Sequence, residues 1–266
     1  MTALIAARNL SRDFAVGRTW IPGSGQTLRA VDAVDLEVRR GETLGLVGES
    51  GSGKSTLGRC MTRLLEVTDG QVLFDGQDVT ALQGRALRPF RRRVQMIFQD
   101  PSSSLNPQRR VGDILTEPLA VHGIRTKADI PARLAELMDL VGLPETALRR
   151  FPHEFSGGQR QRIGIARALA MEPELIVADE PVSALDVSVQ AQVLNLFMDL
   201  QRDLGVAFVF ITHDLGVVEH VSDDIAVMTR GVLVEQGTTD QVMHAPRHDY
   251  TRTLLAAIPR LPEPQS

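Results

Sequence analysis

The fold is decided by the stretch Thr43-Leu44-Gly45-Leu46-Val47-Gly48-Glu49-Ser50-Gly51-Ser52-Gly53-Lys54-Ser55-Thr56. Residues 43–47 are mostly apolar and predict a short strand, whereas residues 48–55 fit G-x-x-x-x-G-K-[ST] at every fixed position. The next segment, Ser55–Leu65, predicts a helix. A strand, a glycine-rich loop and a helix in this order form the context that a phosphate-binding loop requires, which disfavours a chance turn rich in Gly and Ser.

The chemistry of this loop follows from its residue types. Glycines let backbone N–H groups approach and wrap phosphate oxygens. Lys54 is expected to reach the β- and γ-phosphates of a nucleotide, and the Ser55 hydroxyl is expected to bind Mg²⁺. The residues that we predict to bind nucleotide here are Gly48, Glu49, Ser50, Gly51, Ser52, Gly53, Lys54, Ser55 and Thr56.

A second candidate is the pair of acids that follows the apolar run Leu175–Ala178. In an α/β sheet the carboxyl ends of the strands face the nucleotide crevice. We therefore expect Asp179 to help hold Mg²⁺ and Glu180 to orient and deprotonate the attacking water. A strand of this kind on its own more often just reaches solvent, and it is the phosphate loop that favours the catalytic interpretation.

Composition excludes several classes of protein. The 266 residues suffice for one core, or for one core with an inserted subdomain. The net charge of −4 gives no basic field that would favour nucleic acid. Apolar runs such as Val206–Ile211 are far shorter than the ~18 residues of a membrane span. The single cysteine, Cys60, rules out an internal disulfide, and the first residues lack a secretory leader, so we expect a soluble cytoplasmic chain.

The order of the predicted elements indicates an α/β fold. Two strand-rich stretches, Leu4–Phe14 and Leu28–Val38, precede the phosphate loop, with a Gly-, Pro- and Ser-rich loop at Val16–Thr27 between them. Apolar residues at helical spacing in Ile130–Val141 indicate a helical insertion. Strands then alternate with helices, which predicts a mostly parallel sheet covered by helices, and the chain's last predicted helix is His248–Ile258.

A third motif, Phe155-Ser156-Gly157-Gly158-Gln159, opens a predicted helix and is suited to hold an anion through backbone N–H groups. Together with the first two motifs it resembles the signature of ABC transporter nucleotide-binding subunits, specifically the oligopeptide/dipeptide importer group. In Ile97-Phe98-Gln99-Asp100-Pro101, Gln99 resembles the Q-loop glutamine of that family. Ser183–Asp186 resembles its D-loop, and His213 resembles its switch histidine.

The resemblance implies a role for each of these residues. Gln99 is implied to contact Mg²⁺ and the attacking water, and His213 the γ-phosphate, so that both join Glu180 as catalytic residues. Ser156 and Gly158 are implied to reach the γ-phosphate held by an opposite subunit, which makes the functional unit a dimer closing on two ATP molecules. The nucleotide contacts implied outside the phosphate loop are Ser156, Gly157, Gly158, Gln159, Asp186 and Phe14.

Phe14 enters this set because the family uses an aromatic residue upstream of the phosphate loop to stack on adenine. It ends the first predicted strand, which makes it the preferred candidate. Trp20 is the competitor, and the alternative for Phe14 is an ordinary core residue.

The motifs together predict an ABC-type P-loop NTPase core with a mostly parallel sheet, an N-terminal antiparallel β subdomain and an inserted α-helical subdomain. We assign residues 1–105 and 171–240 to the core and residues 106–170 to the helical subdomain with the signature motif. Residues 241–266 are assigned to a C-terminal extension of the peptide-importer type. Within it, residues 245–259 resemble the extension of that group, although Asp249 replaces the usual Pro.

The implied function is ATP hydrolysis that drives uptake of di- or oligopeptides, or of a related solute. The implied partners are two membrane permease subunits, a second ATP-binding subunit and, indirectly, an extracytoplasmic solute-binding protein. Nucleic acid is not among them. The implied location of this chain is the cytoplasmic face of the inner membrane. The alternative is a soluble ABC-type ATPase subunit of a non-transport complex, such as a phosphonate-degrading assembly.

Two features carry weaker hypotheses. The basic cluster formed by Arg85, Arg88 and Arg91–Arg93 is by default a solvated face, and a weaker hypothesis places it near anionic lipid headgroups. His244 lies at i,i+4 spacing from both Asp240 and His248, but without a third ligand a solvated helix face is favoured over a metal site.

Overall fold

A six-stranded sheet forms the centre of the molecule. The structure, a computed structural model, describes residues 3–16, 26–99 and 105–257. The central strands lie in the order β10-β9-β3-β8-β7-β6, and all neighbours are parallel except β9 and β10. Their bounds are Thr43–Val47 (β3), Val94–Ile97 (β6), Leu175–Asp179 (β7), Ala207–Thr212 (β8), Asp224–Thr229 (β9) and Val232–Thr238 (β10). The mostly parallel sheet predicted from the sequence is confirmed.

A second, antiparallel sheet packs beside the first and confirms the predicted N-terminal β subdomain. Its strands lie in the order β2-β1-β4-β5. Their bounds are Ala3–Val16 (β1), Gln26–Arg39 (β2), Asp69–Phe74 (β4) and Gln77–Asp78 (β5). Both ends of the predicted loop at 16–27 belong to strands, because Val16 pairs with Gln26 and Ala15 with Thr27. Residues 17–25, which include Trp20, lie outside the described residues.

Helices cover the central sheet and connect its strands. Their bounds are Lys54–Met61 (α1), Arg88–Arg93 (α2), Val111–His122 (α3), Ile130–Leu140 (α4), Gly157–Leu169 (α5), Val187–Leu204 (α6), Leu215–Val221 (α7), Thr239–His244 (α8) and Asp249–Ala256 (α9). Short 3₁₀ turns occupy Gly84–Leu87, Glu145–Arg149 and Pro152–Glu154. Among the described residues, no helix is long and apolar enough to cross a membrane.

Helices α3 to α5 lie between β6 and β7, where the sequence predicts a helical insertion. Their buried side chains, such as Leu137 and Ile163, belong to the same hydrophobic cluster as Phe208 and Phe210 of β8. Phe197 of α6 meets Phe208 edge-on, with ring centroids 5.5 Å apart. Because this cluster is continuous, the boundaries at residues 106 and 170 stay a prediction.

The parallel strands place their carboxyl ends at one edge of the sheet. Gly48 follows β3, Glu180 follows β7 and His213 follows β8, while Gln99 lies two residues beyond β6. The edge therefore collects the residues that the sequence analysis singled out from segments far apart in the chain. This is where α/β sheets place their ligands.

Candidate functional site

The phosphate loop is held tightly against the sheet. All five residues of β3 are buried, and the loop turns sharply at Gly48, where φ is +149°. A Cβ at this position would collide with the backbone carbonyl of Met228 in β9. The N–H of Gly231 donates to the carbonyl of Ser52 over 2.9 Å, which ties the loop to the β9–β10 turn. Only glycine fits at position 48, because of both the conformation and the close approach.

Lys54 lies at the centre of the loop and is only 4% exposed. Its Nζ donates to the carbonyl oxygens of Gly48 and Glu49, at 2.7 Å each. Burial lowers the pKa of Lys54, and the nearby carboxylates of Glu180 and Asp179 oppose that effect. A further contact of the ammonium, with the Ser52 hydroxyl over 3.3 Å, is also with a neutral group. A buried ammonium bonded to neutral oxygens gains strongly when an anion replaces them.

Ser55 and Asp179 form the second part of the site. The Ser55 hydroxyl donates to Asp179 Oδ1 over 2.7 Å, which joins α1 to the end of β7. Burial raises the pKa of Asp179, and the hydrogen bond from Ser55 and the charge of Arg59 oppose the rise. A hydroxyl and a carboxylate oxygen are the ligands with which Mg²⁺ is bound beside substrate phosphates, so the pair fits the predicted metal position.

Glu180 lies at the meeting point of three segments. Gln99 Nε2 donates to Glu180 Oε2 over 2.9 Å, and His213 Nδ1 lies 3.3 Å from Glu180 Oε1. The Glu180 backbone is left-handed, with φ of +45°, and its N–H donates to the Ile211 carbonyl over 2.8 Å. A non-glycine residue held in this conformation is the kind of local strain that clusters at functional sites. The structure therefore brings together the three residues predicted to be catalytic.

The signature motif forms a separate group. Ser156 begins α5 in a reciprocal capping box: its Oγ accepts from the Gln159 N–H over 3.3 Å, and its own N–H donates to Gln159 Oε1 over 3.1 Å. A Cβ at Gly158 would collide with the Cγ1 atom of Val189 in α6. Asp186, the last residue of the D-loop, begins α6 and accepts from the Val189 N–H over 2.9 Å. The side chain of Gln159 thus serves its own helix, and its contact with nucleotide stays a prediction.

Phe14 lies near the end of β1, where it pairs with Leu28 of β2. Its side chain is half-buried, and the guanidinium of Arg12 lies 4.8 Å from the ring centroid. The ring is not part of the buried core, and its stacking on a base stays a prediction.

The basic cluster has partners within the chain. Arg93 pairs with Glu174 and with Asp75, and Arg40 pairs with the same two carboxylates. Arg91 donates to the backbone carbonyl of Arg63 over 3.1 Å. Since Arg93 joins Glu174, which precedes β7, to Asp75, which follows β4, and Arg91 is bonded to the chain after α1, the lipid hypothesis is not carried further. The metal hypothesis at His244 receives no support from the structure. Among the described residues, no three or more His, Cys, Asp or Glu side chains are grouped so that they could hold a metal ion.

One contact to the phosphate loop was missed by the sequence analysis. The Glu49 N–H donates to the hydroxyl of Tyr250 in α9 over 3.1 Å. The available signal was the C-terminal segment around His248–Thr251, which resembles a family extension but gives no indication of what it touches.

Comparison with known proteins identifies relatives over the whole chain. Residues 31–183 match the family model described as ABC transporter, and residues 234–266 match the model described as oligopeptide/dipeptide transporter, C-terminal region. The oligopeptide transport ATP-binding protein OppF of Streptococcus mutans is 52% identical over 94% of this chain and 81% of its own length. OppF of Bacillus subtilis is 55% identical over 90% of this chain and 78% of its own length.

Solved structures agree with the sequence relatives. The cbiO1 protein of Clostridium perfringens, part of the ABC transporter complex cbiONQ, superposes with a TM-score of 0.78 at 25% identity, over 92% of each chain. The dimeric ATP-binding cassette MJ0796 bound to ADP and Pi gives a TM-score of 0.78 at 28% identity, over 88% of this chain and 98% of that one.

Proposed function

The chain belongs to the ABC transporter family of ATP-binding subunits, and from this premise we propose that it powers an importer of oligopeptides or of a related solute. The observation that carries the proposal is the match of residues 234–266 to the C-terminal region of oligopeptide/dipeptide transporters. The names of the relatives, at 50–55% identity, support the same solute class. The phosphonate-complex alternative finds no such support.

The phosphate loop binds the nucleotide. Lys54 exchanges the carbonyls of Gly48 and Glu49 for β- and γ-phosphate oxygens, which gives its buried ammonium an ionic partner. Backbone N–H groups of residues 50–56 surround the same phosphates, while the Glu49 N–H is bonded to Tyr250. Binding energy at this site therefore comes mainly from charge-assisted hydrogen bonds in a water-poor environment.

Ser55 and Asp179 are the residues that would hold Mg²⁺, and the Gln99 amide oxygen is a further candidate because its nitrogen is bonded to Glu180. When bound, the metal neutralises charge on the phosphate oxygens. Burial raises the pKa of Asp179, and a cation beside this buried carboxylate would offset its loss of hydration.

Glu180 acts on the attacking water. Its carboxylate is held at one oxygen by Gln99 and lies beside His213 at the other, so its orientation is fixed before substrate arrives. It accepts the water proton as the water's oxygen bonds to the γ-phosphorus, while the bond from that phosphorus to the bridging oxygen breaks and ADP leaves with the electron pair; His213 contacts the γ-phosphate.

The signature motif serves a second subunit. Ser156 and Gly158 belong to a helix start whose N–H groups favour an anion. The proposed anion is the γ-phosphate held by an opposite ATP-binding subunit, so that two ATP molecules lie in a closed dimer. The cassette MJ0796 is dimeric in its structure with ADP and Pi, which supports a dimer as the functional unit.

The proposed permease contact is a groove of about 190 Å³ between β6 and α5. Leu64 and Phe98 line it and are 46% and 37% exposed, so the groove offers apolar surface to a partner. Phe98 directly precedes Gln99, so a permease segment seated in the groove would contact the neighbour of the residue that orients Glu180. This position gives a direct route from the membrane subunits, and hence from the cytoplasmic face of the membrane, to the catalytic carboxylate.

Co-purification tests the proposal. A tagged chain is extracted with detergent from membranes of its own host, and the proteins bound to it are identified by mass spectrometry. Two multi-span permeases and an ATP-binding subunit are expected. Recovery of lyase subunits without any multi-span protein would instead support the non-transport alternative.

A further inference from the structure

The C-terminal extension reaches the phosphate loop through one side chain. Tyr250, 201 residues away from Glu49 in the chain, accepts the Glu49 N–H with its hydroxyl oxygen over 3.1 Å. We propose that Tyr250 is a positioning residue that fixes the start of the phosphate loop and thereby sets the affinity for nucleotide. The proposal rests on the nucleotide site assigned above and adds a determinant outside the predicted motifs.

The start of α9 is anchored so that Tyr250 has a defined position. The carboxylate of Glu235 in β10 accepts the N–H groups of Arg247 and His248, at 2.7 and 3.0 Å. His248 Nδ1 then accepts the Tyr250 N–H over 3.1 Å and begins the helix. Thr251 is completely buried. These hydrogen bonds to backbone N–H groups, together with the burial of Thr251, hold the start of α9 beside β10.

An apolar cluster completes this connection. Tyr250, Leu254 and Leu255 pack against a group of buried side chains that includes Val47, at the end of β3, and Val218 of α7. The same cluster therefore joins the extension to the strand before the phosphate loop and to the helix after His213. The side chain of Asp249, by contrast, is 93% exposed. This explains why an Asp is tolerated where the related extensions have Pro: the position lies in the first helical turn and contacts solvent.

The loop needs such an anchor because Lys54 holds the same backbone segment from the other side. In the structure, the Lys54 ammonium donates to the carbonyls of Gly48 and Glu49. Phosphate oxygens compete for that ammonium, so these carbonyls lose their partner when nucleotide binds. The bond from the Glu49 N–H to Tyr250 does not involve Lys54 and can persist in both states. Without the hydrogen bond to Tyr250, the loop samples more conformations, and nucleotide binding must then order the loop at a cost in entropy.

Tyr250→Phe in the full-length chain removes only the hydroxyl oxygen. We expect the dissociation constant for Mg-ATP, measured by calorimetry, to rise about 3- to 10-fold, the equivalent of one ordinary hydrogen bond. In steady-state ATPase assays the KM should rise by the same factor while kcat changes less than about twofold. The matched control is Thr253→Ala, which removes from the same helix an exposed hydroxyl that donates to the Asp249 carbonyl.

Amide hydrogen exchange separates positioning from a general loss of stability. The Glu49 amide should exchange slowly in the wild type and in Thr253→Ala, and faster in Tyr250→Phe, while the melting temperatures of all three agree closely. An ATP affinity of Tyr250→Phe equal to that of Thr253→Ala would overturn the proposal, as would unprotected Glu49 in the wild type. Lys54→Ala separates a failure of the Tyr250 proposal from a failure of the nucleotide-site assignment. If the wild type and Lys54→Ala bind ATP equally, the nucleotide site itself is wrongly assigned.

Discussion

The side-chain amide of Gln99 donates a hydrogen bond to the carboxylate of Glu180 across 2.9 Å and so joins the segment after β6 to the end of β7. The two residues are 81 positions apart in the chain and meet because β6 and β7 are parallel neighbours. The groove that we assign to the permease lies beside Phe98, the residue before Gln99. This bond therefore links the proposed membrane contact to the proposed catalytic base.

Gln99→Ala is predicted to lower kcat while leaving ATP binding nearly unchanged. The substitution removes a hydrogen bond to a charged group that orients the base, which corresponds to roughly a 10-fold or larger loss of rate. Single-turnover phosphate release measures the effect, and Gln71→Ala, an exposed glutamine of β4, is the control. Loss of ATP affinity rather than of rate would mean that Gln99 binds nucleotide instead of orienting Glu180.

Lys54→Ala is predicted to abolish measurable ATP binding. The ammonium is buried at the centre of the loop, and no other cation in the described part of the loop can replace its contacts with phosphate. Lys127→Ala, at an exposed lysine near α4, serves as the matched control and should bind ATP as the wild type does. Retained affinity in Lys54→Ala, measured by calorimetry, would remove the phosphate contact that we assign to this residue.

Asp179→Asn is predicted to stabilise the nucleotide-free protein and to weaken its response to Mg²⁺. Burial raises the pKa of Asp179 above its usual value, so its ionised form is less favourable in the folded than in the unfolded state. The cost to stability is present near neutral pH, shrinks as the pH falls through the folded pKa, and is gone below the unfolded pKa. The gain in melting temperature should therefore be larger at pH 7 than at lower pH. An Asp179→Asn protein that is less stable at pH 7, with unchanged dependence of turnover on Mg²⁺, would contradict both parts.

Gly158→Ala is predicted to disturb the signature motif, and Val189→Ala is predicted to relieve the damage. A Cβ at position 158 would collide with Val189 Cγ1, an overpacking that typically costs about 1–3 kcal/mol. The single variant should bind ATP normally at its phosphate loop but hydrolyse it slowly, because α5 shifts. Unfolding and ATPase measurements on the single and double variants test this prediction. Failure of Val189→Ala to restore any stability would mean that the collision is not the cause.

Much of the fold could be predicted from the sequence because the strong signals are local. The strand, glycine-rich loop and helix at residues 43–65 are contiguous, and only the end of the helix was misplaced: α1 stops at Met61, and Arg63 adopts a left-handed backbone with φ of +55°. The meeting of Glu180 and His213 was also predictable, since residues that follow parallel strands share one edge of the sheet.

Contacts between distant side chains could not be predicted in this way. Arg93 pairs with Glu174, which lies 81 residues away in the chain, and with Asp75, which lies 18 residues away. No local sequence pattern indicates an ion-pair network among these three residues. The contact between Tyr250 and Glu49 depends equally on how the last helix packs. The capping role of Gln159 is a different case, since Ser-x-x-Gln at a helix start is itself a recognisable capping box.

The central claim is that Glu180 drives the ATP hydrolysis of a peptide importer. Its most direct test is the rate of phosphate release from the purified complex in liposomes. The rate is measured for the wild type and for Glu180→Gln, with and without peptide-loaded solute-binding protein. The control is Glu219→Gln, at an exposed glutamate of α7. We predict that peptide stimulates the wild type and the control, and that Glu180→Gln binds ATP but hydrolyses it at least about 100-fold more slowly. Equal rates for Glu180→Gln and the wild type, or rates that do not respond to peptide, would contradict the account.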